Sequence, residues 1–148
     1  MRISLLKAAV YPDYAADKGE HNFTYSLLPH KGDFVEGKTV QKAFDLNQPL
    51  EVVEGILHMP TEASMGMVRF EGAHVELDAL KKSEDGRRLV LRFHEYAGGK
   101  GMITVHTGFP VKAYAESDLM ERALEAFRTG EMSMEIRPYE VKTLLLEV

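Results

Sequence analysis

Apolar side chains recur at every second position in short runs cut apart by glycine and proline, and that rhythm confines the chain to a β-rich fold. Leu89, Leu91 and Phe93 alternate, the chain turns through Gly98-Gly99-Lys100-Gly101, and Ile103 and Val105 alternate again. Successive residues of a strand point to opposite faces, so each set forms one apolar face. Closing the loop symmetrically about Gly99 sets Phe93 opposite Val105 and Glu95 opposite Ile103. The apolar faces then coincide, which predicts a one-sided buried hairpin.

The same rhythm predicts strands elsewhere. Ile3 and Leu5 mark a first, ending before Tyr11-Pro12-Asp13, and Phe23, Tyr25 and Leu27 share one face of a second. Residues 50–53, 65–70 and 74–80 read as three more. A last strand pair is expected at 132–136 and 139–148, separated by Arg137-Pro138. Leu144, Leu145 and Leu146 are contiguous there, so that strand should be covered on both faces.

Two segments have helical spacing. Residues 37–45 place Val40, Ala43 and Phe44 on one side and meet Asn47-Gln48-Pro49, where proline ends a helix. Asp118 precedes Leu119, Met120, Ala123, Leu124 and Phe127, a capped pattern that predicts a short helix or helical turn. The expected fold is mainly β, an antiparallel β-sandwich with one or two short helices, in a single domain spanning 1–148.

Composition narrows the partners. A formal charge of −5 leaves no basic stripe to offset phosphate repulsion, so no nucleic-acid groove is expected. No apolar run approaches the roughly 20 residues of a membrane span, so no membrane partner is expected, and no signal-peptide pattern is visible. Without cysteine there is neither disulfide nor thiolate chemistry. The expected location is the cytoplasm. Asn22-Phe23-Thr24 is formally a glycosylation sequon, without meaning in that compartment. Alternation already begins within the first six residues, as in a native start or in a chain cut at a domain edge.

Candidate chemistry is sparse. The histidines are His21, His30, His58, His74, His94 and His106, with no short-spaced ligand pair. Zinc needs three or four convergent ligands. In the hairpin register His94 and His106 lie diagonally, about 7–8 Å apart, and unliganded strand histidines are the commoner case. Asp13, Asp17 and Glu20 make the one carboxylate-rich loop. A retaining glycosidase needs two carboxyl groups about 5 Å apart, and no second acidic cluster faces this one. Solvated loop acids, with Asp17 bonded toward Gly19, are the simpler reading. His21 stands where loop becomes strand; it either pairs with Glu20 or reaches a neighbouring pocket, or it is a hydrogen-bonded structural histidine. Gly98 to Gly101 precedes a strand, not the helix a phosphate loop needs. Ser4, Ser26 and Ser64 lack a nucleophile-elbow context. No catalytic or metal-ligating residue is assigned, and no self-contained active site is expected.

Residues 16–33 read ADKGEHNFTYSLLPHKGD. This resembles the signature "AD-x-GEHEFTYALLPH-x-GD" of the C-terminal β-domain of glycoside hydrolase family 38 α-mannosidases. Five further blocks follow in order. They are Ser4-Leu5-Leu6-Lys7 with Tyr11-Pro12-Asp13; Ala43-Phe44 with Leu46-Asn47-Gln48-Pro49-Leu50; residues 80–85 with 89–95; Glu116 to Arg122, similar to "E-x-DLLER"; and residues 137–144, similar to "PFEIKTL". Asn22 stands where relatives carry glutamate and Tyr14 where proline is usual.

The resemblance implies a galactose-mutarotase-like sandwich of the α-mannosidase C-terminal type, with an irregular connection at 118–128. It implies a parent enzyme that hydrolyses terminal α-mannosides with retention. Its catalytic aspartate and zinc would belong to a preceding α/β domain, leaving no cofactor in this chain. The implied partners are that catalytic domain of the same polypeptide and, through it, an oligosaccharide α-mannoside. Self-association through an exposed docking face is a further expectation. Side chains lent to the substrate rim would be Lys18, Glu20, His21 and Tyr25. Two alternatives stand beside this reading. One is an independent carbohydrate-binding module using Tyr11, Tyr14 and Tyr96; the other is a self-sufficient hydrolase using Asp17 and Glu20.

Overall fold

The β-strands that form are those whose two backbone edges find partners, and alternation alone does not reveal which. In the computed structural model, which describes residues 3–49, 51 and 66–148, the chain divides into two units, Met1–Lys31 and Gly32–Val148. Gly32–Val148 contains α1 (Thr39–Asn47), β1 (Val68–Gly72), β2 (Val75–Lys82), β3 (Leu89–Glu95), β4 (Gly101–Thr107), β5 (Ala113–Ser117), β6 (Met132–Ile136) and β7 (Val141–Glu147). The strands form a three-stranded sheet in the order β1-β4-β6 and a four-stranded sheet in the order β2-β3-β7-β5. All pairings are antiparallel. The expected antiparallel β-sandwich is the fold observed, with α1 its single α-helix among the described residues.

The core lies between the inner faces. Leu91, Phe93, Tyr114, Leu144 and Leu146 come from the four-stranded sheet, and Ile103, Val105, Met132, Met134 and Ile136 from the three-stranded sheet. Phe70 and Phe93 meet across the gap with ring centroids 5.0 Å apart at 55°, a tilted geometry that aromatic quadrupoles favour. The contiguous leucines behave as expected: Lys142 through Leu146 are all buried in β7.

The predicted hairpin does not form. β3 is flanked by β2 and β7, and β4 by β1 and β6, so the two strands lie in opposite sheets. Phe93 and Val105 still share a core, but face each other across it. An arch between sheets brings apolar faces together as well as a hairpin does, which is why the pattern could not separate them. The expected pairing of the last two strands fails likewise: β6 joins β4, and β7 joins β3 and β5. Among the described residues, only β2 and β3 are consecutive and paired.

The strands expected at 65–70 and 74–80 appear as β1 and β2, shifted by one to three residues. The helix expected at 37–45 runs two residues later, with Val40 and Phe44 half-buried but Ala43 exposed. Residues 50–53, apart from Glu51, lie outside the described residues, as does His58.

The segment 118–128 is not a helix. Asp118 does cap it, its Oδ1 accepting from the Met120 and Arg122 N–H groups at 2.9 Å. Glu121 then takes a left-handed φ of 62° and turns the chain back. Leu124 N–H donates to the Glu116 carbonyl, and Tyr114 and Arg128 exchange both backbone bonds. The free edge of β5 thus recruits this strip, because an unpaired strand edge requires partners. Leu119, Met120 and Leu124 are left exposed, not buried on a helical face.

In Met1–Lys31 the two expected strands are absent among the described residues. Ile3, Leu5, Phe23, Tyr25 and Leu27 alternate as predicted, yet each is about half exposed or more. Alternation supplies a face, but a strand also needs a neighbouring ladder, and the hydrogen bonds formed here are turn bonds such as Lys18 N–H to the Ala15 carbonyl.

Phe93 is fully buried at the centre of the core. Phe93→Ala is expected to cost about 3–5 kcal/mol, read as a lower denaturant midpoint at unchanged slope.

Candidate functional site

The loop singled out in the sequence is a chain of local turns. Asp13 Oδ1 accepts from the Ala15 N–H at 2.8 Å. Asp17 and Gly19 take φ values of 56° and 139°, and this lets the chain fold back so that His21 Nε2–H donates to the Asp17 carbonyl at 2.8 Å. That bond fixes the proton on Nε2. The His21 ring stacks on Phe23 at 6.0 Å and 14°. The expected Asp17 side-chain bond to Gly19 and the His21–Glu20 pairing are thus replaced by one contact to the Asp17 backbone. Lys18, Glu20, His21 and Tyr25 are all exposed.

The other histidines separate. His94, on β3, lies 2.8 Å from Asp78 on β2. His106, on β4, lies 3.0 Å from Glu71 on β1, whose other oxygen meets Arg69 at 2.7 Å. Arg69 first, and His106 second, hold the Glu71 carboxyl below its ordinary value. With β3 and β4 in different sheets, the diagonal His94–His106 neighbourhood does not exist. No group of three or more histidine or acidic side chains converges among the described residues, so they do not fit a zinc site.

Three charged groups that the sequence reading passed over organise the sandwich. Glu95 is 1% exposed, at the end of the inward set Leu89, Leu91 and Phe93. Its Oε1 accepts from the N–H groups of Ala97 and Gly99 at 2.8 and 3.1 Å, and its Oε2 from those of Gly98 and Tyr139 at 2.9 and 3.0 Å. Burial pushes the carboxyl pKa up, but the four N–H donors together outweigh it, and the pKa lies below the ordinary 4.5. With all four lone-pair positions filled, Glu95 serves as an anchor and not as a base. The signal for it was an acid on the buried parity of a strand just before a glycine pair.

Glu121 is the second. Its carboxylate accepts from Lys81 Nζ at 2.8 Å and from the Glu84 N–H at 2.7 Å, fastening the 118–128 strip to the β2–β3 turn. The Lys81 bond, followed by the Glu84 N–H, lowers its pKa. The third is Lys142, whose Nζ lies 2.7 Å from Glu116 and whose side chain is 9% exposed. Both belong to the inward-facing set, in register with Phe93 and Leu144. Two shallow clefts of about 150 and 270 Å³ are both lined by Glu84, Met120 and Glu121.

Two antiparallel sheets closed over one core make this a β-sandwich protein. Residues 74–144 match the model of the family described as "Glycosyl hydrolases family 38 C-terminal beta sandwich domain", and this part of the chain belongs to that family. The chain is 34% identical over 153 residues to alpha-mannosidase 2C1 of Homo sapiens, covering 99% of this chain and 15% of that protein. It is 27% identical over 148 residues to alpha-mannosidase G of Dictyostelium discoideum, covering 95% and 14%. It is also 31% identical over 137 residues to a putative mannosylglycerate hydrolase of Halalkalibacterium halodurans, covering 87% and 14%. The chain spans about 15% of the length of the curated relatives it matches.

Because its folded pKa is lowered, Glu95 contributes stability that is present above pH 4.5 and lost as pH falls through the folded value. Glu95→Gln leaves N–H groups facing an amide that also donates, and should cost about 2–4 kcal/mol at pH 7. The difference in unfolding free energy between wild type and variant should shrink below pH 4.5 in denaturant titrations; a constant difference would contradict the anchor.

Proposed function

We propose that this chain is the C-terminal β-sandwich domain of a retaining α-mannosidase, supporting the catalytic domain of the same polypeptide and not hydrolysing glycosides alone. The observation that carries the reading is an asymmetry of coverage. The match to alpha-mannosidase 2C1 takes in 99% of this chain but 15% of the relative. The parent enzyme would act on terminal α-mannosides of oligosaccharides in the cytoplasm, with its catalytic aspartate and zinc on the preceding domain.

The rim contribution is assigned to Lys18, Glu20, His21 and Tyr25. These residues lie outside the matched stretch 74–144 but inside the alignment to the long relatives. Their exposure, and the bond that sets the His21 tautomer, suit side chains that meet a sugar presented by another domain. Tyr11 and Tyr14, 85% and 75% exposed, supply what favours an independent carbohydrate-binding module. Tyr96, the third ring of that reading, is held by Gln41 at 2.8 Å.

The complete polypeptide should hydrolyse an aryl α-mannoside, and residues 1–148 alone should show no turnover above background. Appreciable turnover by the short chain would overturn the assignment. Saturable millimolar mannose binding to it would favour the module instead. In the complete polypeptide, Glu20→Gln and His21→Ala should each lower kcat/KM by about tenfold, near 1.4 kcal/mol of transition-state stabilisation.

A further inference from the structure

We propose that the adjacent side chains of Leu119 and Met120 form the anchor that seats this domain in an apolar recess on the remainder of its own polypeptide. The inference rests on the reading that the chain is one domain of a longer enzyme, and it names the surface that makes the contact.

The two side chains are 67% and 69% exposed, next to each other at the tip of a turn. Apolar residues scattered singly over a surface need no explanation. This pair differs because its backbone is fixed from three sides. Asp118 Oδ1 accepts from the Met120 N–H, Arg92 reaches the Leu119 carbonyl at 3.5 Å, and Glu121 is bonded to Lys81 and to the Glu84 N–H. Glu121 itself is left-handed, with φ 62°, a conformation that persists in a non-glycine residue only where its surroundings hold it. A turn held this firmly presents its tips already ordered, and pre-ordering removes much of the entropic cost of docking.

The surroundings fit an apolar partner. Met120 lines both clefts and Leu119 one of them, so the exposed pair stands beside surface relief, the geometry in which apolar anchors carry binding energy. Their lining holds three cations, Lys81, Arg88 and Arg92, against three carboxylates, Glu84, Asp85 and Glu121. Lys81 is already paired with both glutamates, and Arg88 with Asp85 and Glu147. A neutral patch of that kind has no field with which to steer a charged ligand. The occupant is the remainder of the polypeptide because this chain, aligned over 99% of its length, covers 15% of relatives that are therefore between six and seven times as long.

Hydrogen exchange on the complete polypeptide tests this. Leu119→Asp together with Met120→Asp should speed amide exchange at 119–124, and in a segment outside 1–148, by on the order of tenfold, while β3 and β7 keep their protection. No change at either place would overturn the proposal. Loss of protection in β3 and β7 as well would assign the pair to this domain's own packing, and would overturn it too. So would a concentration-dependent dimer that the variant dissociates with exchange outside 1–148 unaltered, since a second copy would then be the occupant. A gene encoding nothing beyond this domain would instead remove the α-mannosidase reading itself, a failure visible before any variant is made.

Discussion

Closure of two sheets over one apolar layer is the constraint from which the other features follow. Leu91, Phe93, Leu144 and Leu146 from one sheet are fully buried against Ile103 and Ile136 from the other. To supply both inner faces, the chain changes sheet at every connection between successive strands except β2–β3. Each crossing takes backbone out of the ladder, and its N–H groups need other acceptors. Glu95 answers that need where β3 leaves for β4, and it gathers Tyr139 from the β6–β7 crossing as well. A carboxylate in the interior is therefore a consequence of the topology.

The same logic explains the charges at the periphery. β5 has β7 on one edge only, and the 122–128 strip fills the other. Most of the strip, Leu124 included, stays exposed, and Glu121 fastens it through Lys81 and the Glu84 N–H. At the opposite flank of β5, Glu116 meets Lys142. A pair this enclosed tolerates little rearrangement, because removing one partner leaves a poorly solvated charge.

Function separates along the same line. The sandwich commits Glu95 and Glu121 to holding loops, whereas most of the exposed polar signature lies in Met1–Lys31 and the exposed apolar pair in the 118–128 strip. The role proposed above draws on both: the polar loop would meet sugar and the apolar pair would meet protein.

How much was legible can be read from particular residues. Period-two alternation located β1, β2, β3, β4, β6 and β7, because a strand's two faces meet different environments whatever its neighbours are, but β5 (Ala113–Ser117) was not among the expected strands. The run Leu144-Leu145-Leu146 announced a doubly covered strand for the same reason, and six ordered blocks of wording identified the family. Alternation carries no information about which edge pairs with which, so Phe93 and Val105 were set side by side when they face each other across the core. The apolar spacing at 118–128 suggested a helix because it could not register the open edge of β5. Glu95 looked like one more polar strand residue until the crossings gave it four N–H partners. Local pattern thus located α1 and most of the strands of Gly32–Val148, and identified the lineage. Pairing, the buried anchor and the projecting Leu119-Met120 turn were decided by tertiary structure, because each depends on backbone groups far away in the chain.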